Sequence, residues 1–330
     1  MRRLKTVILI LLSVPIALPL FSQSKYLPEK KGSYSYNNNS DYLGTKKPEF
    51  EAFGKNGKAL SDFFFSTIPL MQGLTGFDLS VTLFGWGEEN YLKQPFNYGM
   101  PGELVFCFQL FLIDEKGKEG KWSVEPPKWE FSINNTQEGH AGLLRWGKEG
   151  TLLSQIFAVY PLVREIAPGV RYYDNESRGV GSLVIYNPER PPYWLPVTTR
   201  EVITARMEDW KDDKMLFDYA TKIVSGMTEA ELNAPAWFGG EENIIQVNGK
   251  GEGFQIMRFN PDYWDRNLPA SEIQFITMMY NEHSLFNSSP EDQKRAEEEY
   301  FANNNRINYH REVNKLLPLK ELPSLIKRGK

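Results

Sequence analysis

Two segments of the chain share an order of aromatic, acidic and turn-forming residues that could build a binding site. They span residues 186–196 and 259–269, and each reads aromatic-Asn-Pro-acid, then Tyr-Trp, then Leu-Pro. Tyrosine and tryptophan join a large apolar face to a polar tip, which suits a partly wet site. The candidate ligand-binding residues are the two Tyr-Trp pairs and three charged neighbours: Tyr193, Trp194, Tyr263, Trp264, Arg190, Asp262 and Arg266.

Both segments follow an apolar run with the composition of a β-strand, at residues 183–185 and 256–258. An Asn-Pro pair ends a strand, because proline restricts the preceding residue and has no N–H for the ladder. Parallel neighbouring strands would bring the two turns together, so that Trp194 and Trp264 line one cleft. Antiparallel neighbours would separate them. A different interpretation is that both Tyr-Trp pairs close the ends of the hydrophobic core.

The residues that usually perform catalysis or bind metals are dispersed. His140, His283 and His310 are isolated, so the sequence predicts neither a metal site nor a cofactor. Cys107 is the only cysteine and lies in an apolar run, where we expect a buried structural thiol. The Gly-x-Ser-x-Gly elbow is absent, and the glycines at 249, 251 and 253 fit neither phosphate-loop spacing.

A pair of carboxylates remains possible, because glycosidases need only two acidic residues that distant segments can supply. Turn-like candidates are Glu189, Asp262 and Asp265. Two functions therefore stay open. The first is a non-catalytic binding or scaffolding protein whose ligand is a small molecule, a glycan, a peptide or an envelope protein. The second is a secreted, carboxylate-based hydrolase of glycans.

Residues 1–22 have the composition of a cleavable signal peptide, with a basic start, an apolar run and Ser22 before a polar segment. This predicts export to the periplasm, cell surface or medium, and no membrane span after cleavage. Removing the three basic residues of this segment changes the formal net charge from −4 to −7. That acidity argues against a nucleic-acid partner, which requires a basic surface.

The remaining sequence predicts an α+β fold with mixed or antiparallel sheets. Residues 23–58 are polar and are expected to form a flexible leader, followed by a body at 59–288 and a helical tail at 289–330. Alternation predicts strands at 77–85 and 129–134, and the continuous apolar run 104–113 predicts a strand buried on both faces. Residues 183–186 and 273–280 are also expected to be strands, and the aromatic run 63–65 has the composition of one. Residues 152–166 fit either a helix that stops at Pro161 or strands around it.

Helices are predicted at about 198–232, where Thr198 and Glu201 have capping-box spacing, and in the C-terminal tail. Residues 244–257 favour a β-hairpin that turns at Asn248-Gly249. A surface loop is expected after residues 134–137.

Overall fold

The structure is a computed structural model that describes thirteen parts of the chain: residues 25–41, 44, 46–85, 98–114, 116–121, 126–136, 141–144, 146–148, 150–175, 180–239, 247–280, 313 and 316–326. The predicted signal peptide, the three histidines and most of the predicted C-terminal helix lie outside these residues. None of the described helices has the length and apolar character needed to span a lipid bilayer.

The described α-helices are α1 (Pro48–Thr67), α2 (Pro69–Gln72), α3 (Thr199–Asp209), α4 (Lys214–Ser225) and α5 (Glu229–Asn233). The first eight strands are β1 (Lys25–Tyr26), β2 (Tyr34–Asn39), β3 (Phe77–Gly85), β4 (Gly102–Ile113), β5 (Glu119–Lys121), β6 (Lys128–Ile133), β7 (Ala141–Leu144) and β8 (Ile156–Val159). The others are β9 (Leu162–Ala167), β10 (Val170–Asn175), β11 (Val180–Ile185), β12 (Trp194–Pro196), β13 (Trp237–Phe238), β14 (Val247–Asn248), β15 (Phe254–Phe259) and β16 (Ile276–Met279).

The strands form two sheets. In the first, the order is β2-β3-β4-β6-β16-β11-β10-β9, with β1 and β5 paired to β4. The second has the order β14-β13-β15-β8-β7, with β12 paired to β15. Strand β2 runs parallel to β3, whereas the other pairs are antiparallel. The predicted α+β class with mixed or antiparallel sheets is confirmed.

Three hydrophobic clusters arrange these elements in four layers. Helix α1 and the C-terminal segment cover one face of the first sheet, where Phe64, Phe106 and Leu322 are buried. An aromatic cluster lies between the two sheets. Helices α3 and α4 cover the outer face of the second sheet through residues such as Ile203 and Ala220. The aromatic segments of interest therefore lie between the sheets, in the middle of the molecule.

The predicted leader is wrong for much of residues 23–58. Residues 34–39 form β2 and pair in register with β3, and α1 begins at Pro48. Tyr34 and Tyr36 pack against the first core, and the Tyr36 hydroxyl donates to the carbonyl of Gly54 at 3.1 Å. The segment is polar because β2 is an edge strand with one face in solvent, which composition alone does not distinguish from a flexible chain.

Helix α1 also contains residues 63–65, which were expected in a strand. Phe64 is buried, while Phe63 and Phe65 pack at the margin of the same core. The helix thus presents a broad aromatic stripe to the sheet. An uninterrupted aromatic run carries no periodicity that separates a helix from a strand.

The predicted hairpin at 244–257 is wrong in its pairing. Strand β13 lies between the expected partners, because Phe238 is the Cα partner of Val247 on one side and of Phe254 on the other. Residues 248–253 still turn the chain, and Gly251 and Gly253 have positive φ angles of 86° and 98°.

The sequence of residues 152–166 fitted either a helix or strands, and the structure shows mainly strands. A short 3-10 helix at Leu152–Gln155 precedes β8, and Pro161 separates β8 from β9. The capping box of Thr198 and Glu201 is confirmed at the start of α3. Asp213 accepts a hydrogen bond from the Leu216 N–H and so caps α4 after the break between the helices.

The described part of the tail differs from the predicted helix. Residues 316–326 form turns and a 3-10 helix at Leu322–Leu325, since Pro318 and Pro323 interrupt any longer helix. Leu317, Leu322 and Ile326 are buried in the first core. The contacts of this segment are therefore with the body of its own chain.

Candidate functional site

The two Tyr-Trp turns lie next to each other, although the strands that precede them are neither parallel nor antiparallel neighbours. The strands that precede them, β11 and β15, belong to different sheets. The chain crosses from β11 to the second sheet, where β12 pairs antiparallel with β15 and Trp194 lies opposite Phe259. The Asn260 N–H donates to the carbonyl of Tyr193 at 2.7 Å, and Asn260 Nδ2 donates to the carbonyl of Pro192 at 2.7 Å.

The four aromatic rings at these turns are buried, and this corrects their assignment as ligand contacts. Their exposed fractions are 1% for Tyr193, 7% for Trp194, 0% for Tyr263 and 4% for Trp264. The rings of Tyr193 and Tyr263 pack edge to face with centroids 6.2 Å apart. Rings enclosed in this way offer no free face to a sugar or side chain, so we assign them to the core between the sheets.

The three charged candidates have separate surroundings. Arg190 Nη1 donates to Gln274 Oε1 at 2.5 Å, and its guanidinium lies 5.6 Å from the Tyr263 ring centroid. Arg266 is exposed and lies 5.3 Å from the ring of Tyr98. Asp262 is also exposed. Arg190 therefore braces the turn, while Arg266 and Asp262 belong to the outer surface.

A buried asparagine binds the segment that follows the second turn, and Gln274 of that segment accepts a hydrogen bond from Arg190 of the first turn. Asn134, at the end of the predicted strand 129–134, is fully buried with a positive φ of 50°. Its Nδ2 donates to the carbonyls of Met100 and Glu272 at 3.2 and 2.9 Å. Its Oδ1 accepts from the N–H groups of Gln274 and Phe275 at 2.9 and 3.2 Å. Asn135 and Thr136 are also buried. The Asn-Asn-Thr segment is thus a structural junction.

The same aromatic cluster has a second polar end at Arg171. The Arg171 guanidinium lies 4.8 Å from the ring centroid of Tyr186 and 5.7 Å from that of Tyr193, and Arg171 Nε is 3.5 Å from Glu165 Oε2. Burial lowers the pKa of Arg171, but the oxygens of Tyr193 and its neighbours outweigh this and raise it above its ordinary value. Burial raises the pKa of Tyr186 to about 12. These contacts connect β10 to the turn before β12.

Four carboxyl groups in the described part of the chain have a shifted pKa, and the direction of the shift bears on acid catalysis. A glycosidase acid needs a raised pKa, which burial or a like charge provides. The carboxyl groups with shifted pKa values all move downward: Glu51, Asp78, Glu201 and Glu231. Burial of Glu201 acts to raise its pKa, but hydrogen bonds from Thr198 and the charge of Arg258 have the larger effect, so the pKa of Glu201 is lowered.

One part of the first sheet lies outside the aromatic cluster between the sheets. On β3 and along most of β4, alternate residues are buried on the side of α1, and the residues between them are exposed or half-buried. On the edge strand β2, Tyr34 and Tyr36 are half-buried on that side and the other residues are exposed. The second set is mostly small or polar, and Phe84, 40% exposed, is its largest aromatic side chain. Across the strands, Phe84 is the Cα partner of Asn39 on β2 and of Glu103 on β4. We call this surface the open face.

A cavity adjoins Phe84 at the ends of β2 and β3 and the start of α1. Its volume is about 680 Å³, and its lining includes Phe84, Asn38, Asn39, Asp41, Lys46 and Glu51. Asn38 Oδ1 accepts from the Ser40 N–H at 3.0 Å, and Asp41 accepts from the backbone N–H of Lys46, which has a positive φ of 51°. Amide, carboxylate and ammonium groups therefore surround an exposed aromatic ring.

Sequence reasoning missed Phe84, although β3 contains a sign of it. Phe77, Leu79, Val81 and Leu83 alternate with Asp78, Ser80, Thr82 and Phe84. Phe84 is thus the one large aromatic residue on the polar side of a clearly alternating strand, where solvent exposure is expected.

The described residues contain no group of three histidine, cysteine or acidic side chains that could hold a metal ion. Among the residues that the structure describes, the exposed ring of Phe84 with its polar neighbours is the arrangement best suited to contact a ligand. Comparison of the chain with protein-family models, curated proteins and solved structures found no match.

Proposed function

We propose that this protein is a non-catalytic binding protein that works outside the cytoplasm and binds a glycan at Phe84 on the open face. The observation that carries this proposal is the exposure of Phe84 beside a cavity of about 680 Å³ whose other lining residues, apart from Phe50, carry polar or charged groups. Export rests on the signal-peptide composition of residues 1–22.

The chemistry of the site fits a sugar better than the other ligands considered. An aromatic ring offers an apolar face to the C–H groups of a sugar ring, while amide and carboxylate groups bond to its hydroxyls. Asn39 and Glu103 flank Phe84 across the strands, so polar groups lie on both sides of the ring. The mixed charges and the acidic mature chain disfavour nucleic acid.

A binding role is also favoured over hydrolysis. The shifted carboxyl groups all have lowered pKa values, which keeps them ionised at neutral pH and unable to donate a proton to a leaving group. The buried Tyr-Trp turns provide no aromatic-lined cleft for a carboxylate pair.

The test combines a glycan array with calorimetry on the chain from Gln23 onward. We expect saturable binding of at least one oligosaccharide class, weakened about tenfold or more by Phe84→Ala. Leu162→Ala is the matched control, because Leu162 is 49% exposed on the same sheet but at the opposite edge. The control should bind as the original chain does.

Two results would reject the proposal. If Phe84→Ala binds the same oligosaccharides with unchanged affinity, the open face is not the site. If bound oligosaccharides are shortened over time, as followed by mass spectrometry, the protein is a hydrolase.

A further inference from the structure

A second cavity lies in a different layer, between the helices and the edge of the second sheet. It measures about 430 Å³ and is bounded by α4, the start of α5 and the turn at 248–253. This volume is within the range of small-molecule pockets, about 300–1,000 Å³. The residues that line it are separate from those of the open face, so ligand binding at this cavity does not depend on glycan binding at Phe84.

The walls of this cavity are held in fixed positions. Asn248 is 9% exposed, and its Nδ2 donates to the carbonyls of Gly239 and Glu252, each at 2.9 Å. Gly249 lies so close to α5 that a Cβ atom there would come 2.1 Å from the carbonyl oxygen of Glu231. Only glycine allows this approach, and the turn is thereby fixed against the helix.

The glycine-rich turn does not have the form of a phosphate cradle. Such a cradle needs free backbone N–H groups directed at the anion. The N–H groups of Lys250 and Glu252 instead donate to Asn248 Oδ1, at 2.9 and 3.4 Å. The side-chain oxygen of Asn248 thus already accepts the N–H groups that a phosphate would require.

Charged groups of both signs surround an apolar floor. Ile223, Met227 and Val247 belong to the third hydrophobic cluster and line the cavity. Glu231 Oε2 accepts hydrogen bonds from Thr228 N and Oγ1 at 2.8 and 2.9 Å.

The other oxygen of Glu231, Oε1, lies 3.9 Å from the Nζ atom of Lys250. Glu231 and Lys250 are therefore engaged with the protein itself. Lys222 and Glu252 supply one further positive and one further negative charge at the same cavity.

We propose that this cavity binds a zwitterionic ligand of dipeptide size, with its carboxylate at Lys222, its ammonium group at Glu252 and an apolar side chain on the floor of Ile223, Met227 and Val247. Equal numbers of positive and negative groups around the cavity match a molecule that carries both charges and no net charge. The apolar floor would bury the side chain of the ligand, and the charged groups at the mouth would fix its orientation.

The test uses L-alanyl-L-leucine as the probe and N-acetyl-L-alanyl-L-leucinamide as its uncharged counterpart. We expect calorimetry to show saturable binding of the zwitterion and binding of the blocked peptide weaker by about tenfold or more. Lys222→Met and Glu252→Gln should each weaken binding of the zwitterion to a similar degree. Lys214→Met is the matched control, because Lys214 is exposed on the same helix but outside the cavity.

Equal affinity for the two peptides would overturn the proposal, because it would show that the charges do not contribute. Absence of saturable binding, or binding unaffected by both cavity variants, would overturn it as well. Circular dichroism of each variant would establish that the fold is retained.

Discussion

The hydroxyl oxygens of Tyr173 and Tyr193 lie 2.5 Å apart, and this contact joins the two sheets of the molecule. Tyr173 belongs to β10 in the first sheet, whereas Tyr193 immediately precedes β12 in the second. Both side chains are buried, with exposed fractions of 6% and 1%. A direct hydrogen bond therefore crosses the aromatic layer between the sheets, beside the guanidinium of Arg171.

Removing one hydroxyl of this pair should destabilise the fold modestly. We expect Tyr173→Phe and Tyr193→Phe each to lower the free energy of unfolding by about 1 kcal/mol, the usual net value of a hydrogen bond. The double variant should lose less than the sum, because both substitutions remove the same bond. Urea unfolding measures all three, with Tyr160→Phe at the rim of the cluster as control. Strict additivity would contradict the coupling.

Alkaline pH should unfold the protein. Burial is the main cause that raises the pKa of Tyr173 and that of Tyr193, and it raises the pKa of Tyr186 to about 12. The unfolded chain releases these protons near pH 10 while the folded chain retains them. Stability is therefore complete below pH 10 and falls as pH rises towards 12, by about 1.4 kcal/mol per pH unit for each such tyrosine.

Absorbance at the tyrosinate band and circular dichroism, recorded along one pH titration, would measure this effect. The buried tyrosines should ionise together with unfolding. Ionisation of all tyrosines near pH 10 in a chain that remains folded would contradict the burial of the cluster.

The buried tryptophans should matter for stability. Trp194→Ala and Trp264→Ala remove large side chains from a packed layer, and each should cost about 3–5 kcal/mol. Phe84→Ala removes an aromatic ring that is 40% exposed and should cost clearly less. Thermal unfolding compares the three. Tryptophan variants that melt like the original chain would show that the turns are not part of the core.

Asn134 combines a positive φ with four side-chain hydrogen bonds, and variants separate the two effects. Asn134→Ala leaves buried N–H and carbonyl groups unpaired and should cost about 3 kcal/mol or more. Asn134→Gly should be less harmful by about 1 kcal/mol, because glycine tolerates positive φ. Asn37→Ala, exposed on β2, is the control. Equal losses for alanine and glycine would mean that the backbone angle carries no strain.

Cys107 differs from the expected buried thiol. It is half-buried on the open face, and burial raises its pKa despite the opposing charge of Lys128. Because the thiolate is the reactive form, iodoacetamide should label the folded protein slowly at pH 7 and faster as pH rises beyond the ordinary thiol range. Unfolded protein should react faster at neutral pH. Complete resistance of the folded protein at high pH would instead indicate a fully buried thiol.

Local sequence patterns predicted the strands and helix ends that do not depend on a distant partner. The alternation in β3 and β6 gives a strand whatever its partner, and the capping box at Thr198 fixes the start of α3. The apolar run in β4 predicted a strand, but not that one of its faces is half-buried instead of buried.

Long-range pairing decided the rest. Trp237 and Phe238 form too short a segment to show a period, yet β13 displaces the expected hairpin. The burial of Trp194 depends on β12 crossing to pair with β15, which lies far along the chain. The solvent exposure of Phe84 likewise depends on which part of the first sheet the second sheet covers, and that relationship is not local.

The position of β16 has a consequence for how the chain can assemble during synthesis. This strand lies between β6 and β11, with Ile276 opposite Ile133 on one side and Ile185 on the other. Until the ribosome has released residues 276–279, both neighbours retain open edges, and the first sheet exists as two separate halves. Such edges are templates for pairing with other chains. A nascent or truncated chain that ends before Ile276 therefore exposes the unpaired edges of β6 and β11, and it should depend on a chaperone to remain soluble.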